Sequence, residues 1–155
     1  LDAETMVAEA RTATAEARAA RLEVVTEGMS LGQLSAITRE ASFDSDRVKT
    51  VERFASRVVV SGRADGQALS ELMDSFDFDS GRVQALEALE GRLGGLAAGD
   101  LIKILGHFSF DSDRKEAVKA LAPQLRGMTP EEIKEFTAMF GFGSDANEAM
   151  EIVFP

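Results

Sequence analysis

The chain has 155 residues, 45% of them apolar, and a net charge of −10 from 27 acidic and 17 basic side chains. That suits one domain, or one domain with an appendage, with enough apolar material for a sizeable core. The acidic balance argues against a nucleic-acid ligand or an anionic membrane surface, both of which need a basic face; the lack of cysteine excludes disulfides, thiolate metal sites and thiol catalysis.

No apolar run reaches the roughly 20 residues that span a bilayer, and no secretory signal is visible. The chain starts at Leu1 rather than Met. This reads as a chain from which something upstream has been cut off or left out, and a targeting segment could have been lost there.

The residues from about 3 to 27 predict one long helix. Met6, Ala10, Ala13, Ala17, Ala20 and Val24 fall four and three apart along it, which is a heptad seam. A seam of alanines buries little area but lets a second helix come close. It suits a cap lying across the first repeat, an assembly device for self-association or a partner helix, or a mobile stalk. Gly28 ends it, so the chain divides at 1–28 and 29–155.

From there one phrase is repeated. Phe43-Asp44-Ser45-Asp46-Arg47 returns as Phe78-Asp79-Ser80-Gly81-Arg82 and as Phe110-Asp111-Ser112-Asp113-Arg114. A worn fourth copy reads Phe142-Gly143-Ser144-Asp145-Ala146. A second Phe precedes three copies by two residues, at Phe76, Phe108 and Phe140. The period of about 32 to 35 residues is that of a helical-hairpin repeat. Before each corner a short helix A is expected, with Leu31, Leu34 and Ile37 in the first repeat and their counterparts Leu69, Leu72 and Met73 in the second. Ile102, Leu105 and then Ile133, Phe136 and Met139 continue the series. After each corner a longer helix B carries Val48, Val51, Phe54 and Val58, then Val83, Leu86, Leu89 and Leu93, then Val118, Leu121 and Leu125. Ser30 is placed to cap the first helix A. Thr129-Pro130 with Glu132 is a capping box with proline at the first helical position. Segments 61–66 and 94–99 read as linkers, and Val58-Val59-Val60 as a helix end.

One hairpin cannot bury its apolar face alone, but four stacked hairpins can. The expectation is an all-α protein: a long N-terminal helix followed by about four stacked helical hairpins, a short α-solenoid. The apolar end Ile152-Val153-Phe154 is expected either to tuck in or to continue.

Within the phrase, Asp44, Asp79 and Asp111 with Ser45, Ser80 and Ser112 are placed to cap their own helix B. Both phenylalanines are expected to wedge helix A against helix B. Arg47, Arg82 and Arg114 sit where the helix dipole disfavours a cation, so a compensating carboxylate is expected from the corner of the adjacent repeat. The Asp-Ser-Asp pattern also suits calcium, but the EF-hand glycine and terminal glutamate are missing and the arginine would repel the ion. No cofactor is implied. Catalysis is not expected either: His107 is the only histidine, replaced by Glu40, Ser75 and Met139 at the matching places, and Gly94-Gly95 lacks the context of a phosphate loop.

The phrase Phe-x-Phe-Asp-Ser-x-Lys/Arg, carried by Phe43 to Arg47, Phe76 to Arg82 and Phe108 to Arg114, resembles the domain-of-unknown-function family DUF4476. The resemblance runs from Leu31 to Val153. It departs at Ala41, where the first Phe is missing, and at Gly143 and Ala146. It implies runs of helical hairpins and brings no catalytic residues. Family members occur in bacterial proteins, many exported, and in an animal proline- and serine-rich protein, which favours a secreted or periplasmic setting. The Ala, Arg, Glu and Gly bias suits a GC-rich bacterial genome. The expected function is a non-enzymatic protein–protein interaction module. The alternatives are a structural subunit assembling with itself through the N-terminal seam, and a calcium-dependent extracellular module.

Overall fold

The computed structural model describes residue 3 and residues 28–155. The N-terminal seam from Met6 to Val24 lies outside the described residues. The rest is all-α. Eight α-helices occur in order among the described residues: α1 (Leu31–Thr38), α2 (Asp44–Phe54), α3 (Ala64–Asp74), α4 (Asp79–Ala88), α5 (Ala98–Leu105), α6 (Asp111–Leu125), α7 (Pro130–Ala138) and α8 (Gly143–Val153).

These form four hairpins stacked in two layers. Helices α1, α3, α5 and α7 pack in sequence in one layer, and α2, α4, α6 and α8 in the other. The core runs between the layers without interruption. Leu34, Val51, Phe54, Leu69, Leu72, Leu86, Leu89, Leu101, Leu105, Val118, Leu121 and Phe136 are all fully buried. Each hairpin thus contributes an apolar face that its neighbour covers, as the three-and-four spacing requires.

Local signals fix the helix starts. Ser30 accepts the N–H of Gln33 at 3.1 Å, and the Gln33 side chain takes the N–H of Ser30 in return at 2.9 Å. Thr129 and Glu132 repeat that box at α7. Buried Asp65 accepts from Ser61, Gly62 and Leu31, which ties the start of α3 to the start of α1.

Four boundaries differ from expectation. Helices α3 and α5 start inside the segments read as linkers, at Ala64 and Ala98. Helix B of the first repeat gives way to a short 3-10 turn (Ala55–Arg57), after which Val58 is extended. There the N–H of Met29 donates to Arg57 O and the N–H of Val59 to Met29 O, both at 2.8 Å, a one-residue parallel bridge. Val58 stays buried through this bridge rather than as a helical residue. Leu93 likewise packs into the core from a turn beyond α4, whose chain reverses at Gly91 with φ +84°. At the far end α8 runs to Val153, which is buried and offers its carbonyl to Arg126 at 3.0 Å, while Ile152 is half-buried and Phe154 is exposed, so only Val153 of this end is tucked in.

Candidate functional site

The four corners lie along one edge of the stack, between the end of one layer and the start of the other. Each is built alike. Helix A ends on an αR residue: Arg39, Ser75, Gly106 or Met139. Helix B then starts behind Phe43, Phe78, Phe110 or Phe142, each extended with φ between −122° and −129°. None of these four residues caps the helix with its side chain.

The corner aspartates do not cap their own helices either. Each reaches across to the next corner and takes its backbone. Asp44 accepts the N–H groups of Asp77 and Phe78, both at 2.9 Å. Asp79 accepts those of Ser109 and Phe110 at 2.9 and 3.0 Å. Asp111 accepts those of Gly141 and Phe142 at 2.9 and 3.3 Å. One carboxylate thus pins two donors of the following repeat, three times over. Ser45, Ser80 and Ser112 stand exposed beside them.

The arginines correct a second expectation. Their main partner is the aspartate of their own corner: Arg47 to Asp44 at 2.8 Å, Arg82 to Asp79 at 2.9 Å, Arg114 to Asp111 at 2.8 Å. Of the three, Arg47 also reaches a carboxylate of the next corner, Asp77, 3.3 Å away. The rest of each guanidinium donates to carbonyls at the end of helix A: Ala41 for Arg47, Met73 and Phe76 for Arg82, Leu105 and Phe108 for Arg114. The unfavourable helix start is thereby offset by the negative end of the neighbouring helix. Arg114 further covers the ring of Phe140 in the next repeat, 5.5 Å from its centre, a cation–π contact.

These contacts set the corner acidities. Burial works against the charge on Asp44, but the N–H groups of Asp77 and Phe78 and the Arg47 guanidinium outweigh it and hold the carboxyl below its ordinary value. Asp111 is likewise lowered against its burial, by Gly141, Asp145, Phe142 and Arg114. Asp113 is raised, by burial first and then by the charge and hydrogen bond of Asp79 in the preceding corner. The matching place in the second repeat is Gly81. A Cβ there would lie 2.6 Å from the Phe76 ring and 3.1 Å from an Asp44 oxygen, so glycine is required where the inner Phe and the incoming carboxylate meet. The fourth corner has Gly143 for Asp and Ala146 for Arg, and beside the Asp111 carboxylate a second tie to α6 comes from Lys115, which bonds Asp145 and Glu148 at 2.7 and 2.6 Å.

The two phenylalanines of the phrase part company. Phe76, Phe108 and Phe140 are buried, as expected. Phe43, Phe78, Phe110 and Phe142 are not wedges at all: they are 69%, 70%, 66% and 71% exposed. The extended backbone at the helix start turns these rings out while the next residue, Asp, turns inward across the stack. One bare ring therefore projects from the same place in each of four abutting corners. The signal was present in the sequence. An aromatic stands at a helix-start position, where Ser, Thr, Asp or Asn serve structure best, and it does so in all four copies. The inner Phe is replaced by Ala41 in one.

His107 has a partner that sequence reading missed. Its Nε2 lies 2.8 Å from Ser70 Oγ, and its Nδ1 lies 3.8 Å from Asp74 Oδ1. These are the residue types of a hydrolytic relay, but Asp74 is beyond hydrogen-bond reach and largely exposed. Ser70 sits mid-helix in α3, where neighbouring N–H groups are committed to the helix and cannot serve as oxyanion donors. Burial lowers the His107 pKa more than Asp74 raises it, and Arg82 lowers it further. The pair reads as a polar clasp between α3 and the end of α5. No group of three or more potential metal ligands is found among the described residues, and no helix among them is long and apolar enough to cross a membrane.

Residues 94–155 match the family model of a domain of unknown function, DUF4476. This is the family the corner phrase resembles. The match spans the third and fourth repeats, and the first two carry the same corner geometry outside it. Neither the curated proteins nor the solved structures yield a match.

Proposed function

We propose that this chain is a non-enzymatic interaction module whose docking edge is the row of outer corner phenylalanines. The observation that carries the reading is the exposure of Phe43, Phe78, Phe110 and Phe142 by about two thirds each, at equivalent positions of a rigid stack. Isolated exposed apolar residues are ordinary, but a periodic row of bare aromatic rings is costly to keep in water and suits recognition. The corners beneath the rings are held by paired N–H to carboxylate bonds and withdrawn arginines, so the row is pre-organised and loses little entropy on binding. The corner carboxylates are engaged with N–H groups and guanidinium groups, which favours this reading over one in which they hold calcium.

The test is selection of binders from a random displayed peptide library on the full chain, with counter-selection on a variant carrying Phe43→Ser, Phe78→Ser, Phe110→Ser and Phe142→Ser. The variant is expected to keep its helical circular dichroism and melting temperature and to lose the selected peptides. Peptides that bind the variant as well as the parent would refute the docking edge.

A further inference from the structure

The edge also restricts what can lie on it, given the docking reading above. The N–H groups of Phe78, Phe110 and Phe142 donate directly to Asp44, Asp79 and Asp111, so consecutive corners abut. Packed helices ordinarily lie about 8–10 Å apart, and corners carried by helices so packed set their outer rings at about that interval. A polyproline II segment has three residues per turn and rises about 3.1 Å per residue, so it presents one side chain to a face every ~9.3 Å. A β-strand presents one every ~6.8 Å, which drifts out of step with the rings within two repeats. Segments of the first kind also lose little freedom on docking and stack well on aromatic surfaces.

Charge selects further. The arginines of the repeated phrase are withdrawn: the side chains of Arg47, Arg82 and Arg114 are 12%, 11% and 10% exposed, and Arg39 at the first corner, half exposed, lies 3.9 Å from Glu71. Beside the second corner Asp74 is 82% exposed, and Asp77, which meets Arg47 through one oxygen at 3.3 Å, is 65% exposed. The chain as a whole carries −10. A second copy would bring acids against acids, whereas a cationic segment is attracted.

We infer that the Phe43–Phe78–Phe110–Phe142 edge binds an extended, proline-containing basic segment with an apolar residue at every third position. The apolar residues and prolines sit between successive rings, and intervening Lys or Arg side chains face Asp74 and Asp77.

The experiment uses fluorescence anisotropy with the full chain and two dye-labelled peptides of about 12 residues. The first repeats Lys-Pro-Leu; the second has the same composition with the leucines at irregular intervals. The regular peptide is expected to bind at least about tenfold tighter, a difference of ~1.4 kcal/mol, and its affinity should fall as salt is added. Phe78→Ser with Phe110→Ser should remove at least about tenfold of that affinity with the melting temperature unchanged. Equal binding of the two peptides, or retention by the double variant, overturns the inference. So does a concentration-dependent dimer in light scattering that Phe78→Ser abolishes, since a second copy would then cover the edge. If neither peptide binds while library-selected peptides do, the periodic basic ligand is wrong and the docking edge stands. If no peptide of any kind depends on the outer rings, both readings fall.

Discussion

Two phenylalanines stand two residues apart in one short phrase and have opposite surroundings. Phe76 is 2% exposed and closes the core between α3 and α4; Phe78 is 70% exposed and touches little. Composition cannot tell them apart. What separates them is backbone: the inner Phe sits in the turn that leaves helix A, facing the core, while the outer Phe is the extended residue at the start of helix B. An aromatic ring in this protein is thus either part of the architecture or carried by it, and the phrase supplies one of each.

The largest expected effect breaks the inner side of this comparison. Phe76→Ala should destabilise the fold by about 3–5 kcal/mol, the range for emptying a buried Phe site, read as a shift of the urea midpoint. Next comes the tie beneath the outer ring. Asp79→Ala removes the carboxylate from nearly buried Arg82 and leaves the N–H groups of Ser109 and Phe110 without an acceptor. About 3 kcal/mol should be lost, and hydrogen exchange should show those two amides, one repeat away, losing protection. Gly81→Ala should cost about 1–3 kcal/mol, since the new methyl meets the Phe76 ring. That substitution tests whether the inner ring has room to move.

A smaller effect depends on pH. Asp113 has its pKa raised in the fold, so the folded state holds that proton more tightly than the unfolded chain, and stability from this group falls as pH rises through its raised pKa. Asp113→Asn should therefore gain up to about 1 kcal/mol at neutral pH, a figure kept small by partial exposure. The gain should vanish below the ordinary carboxylate range. Asp44 and Asp111 work in the opposite sense: their pKa values are lowered, so their contribution is complete above the ordinary value and is lost as pH falls through the folded one. The parent should unfold in acid along with them. The smallest effect lies on the outer side. Phe78→Ser should change the urea midpoint by less than about 0.5 kcal/mol in stability terms, and a larger loss would mean that the outer rings support the fold after all.

Much of this was legible in the residues. The apolar spacing of Leu69, Leu72 and Met73 and the box at Thr129 and Glu132 act within a few residues of chain, and the helices obey them closely. The destination of Asp79 was not legible. An aspartate at the first position of a helix has its own N–H groups near by and also, in a stack, those of the next corner; only the distance between repeats decides, and no local pattern encodes that distance. The same gap hid the hydroxyl of Ser70 from His107, which comes from 37 positions further along the chain. Gly81 stands where the other copies have Asp, and it marks a place where the Phe76 ring and the Asp44 carboxylate leave little space for a side chain.

The corner bonds also have a direction. Asp44, Asp79 and Asp111 each hold the backbone of the repeat after them, so in these three joints the carboxylate comes from the N-terminal member. Gly143 has no side chain to extend that rule. A copy of the second or third hairpin inserted between existing ones would arrive with both halves of its joints, while a hairpin grafted beyond α8 would find nothing to grip its backbone. The array is therefore extensible from within, a form of grammar in which one residue type serves as the conjunction and Gly143 leaves it out.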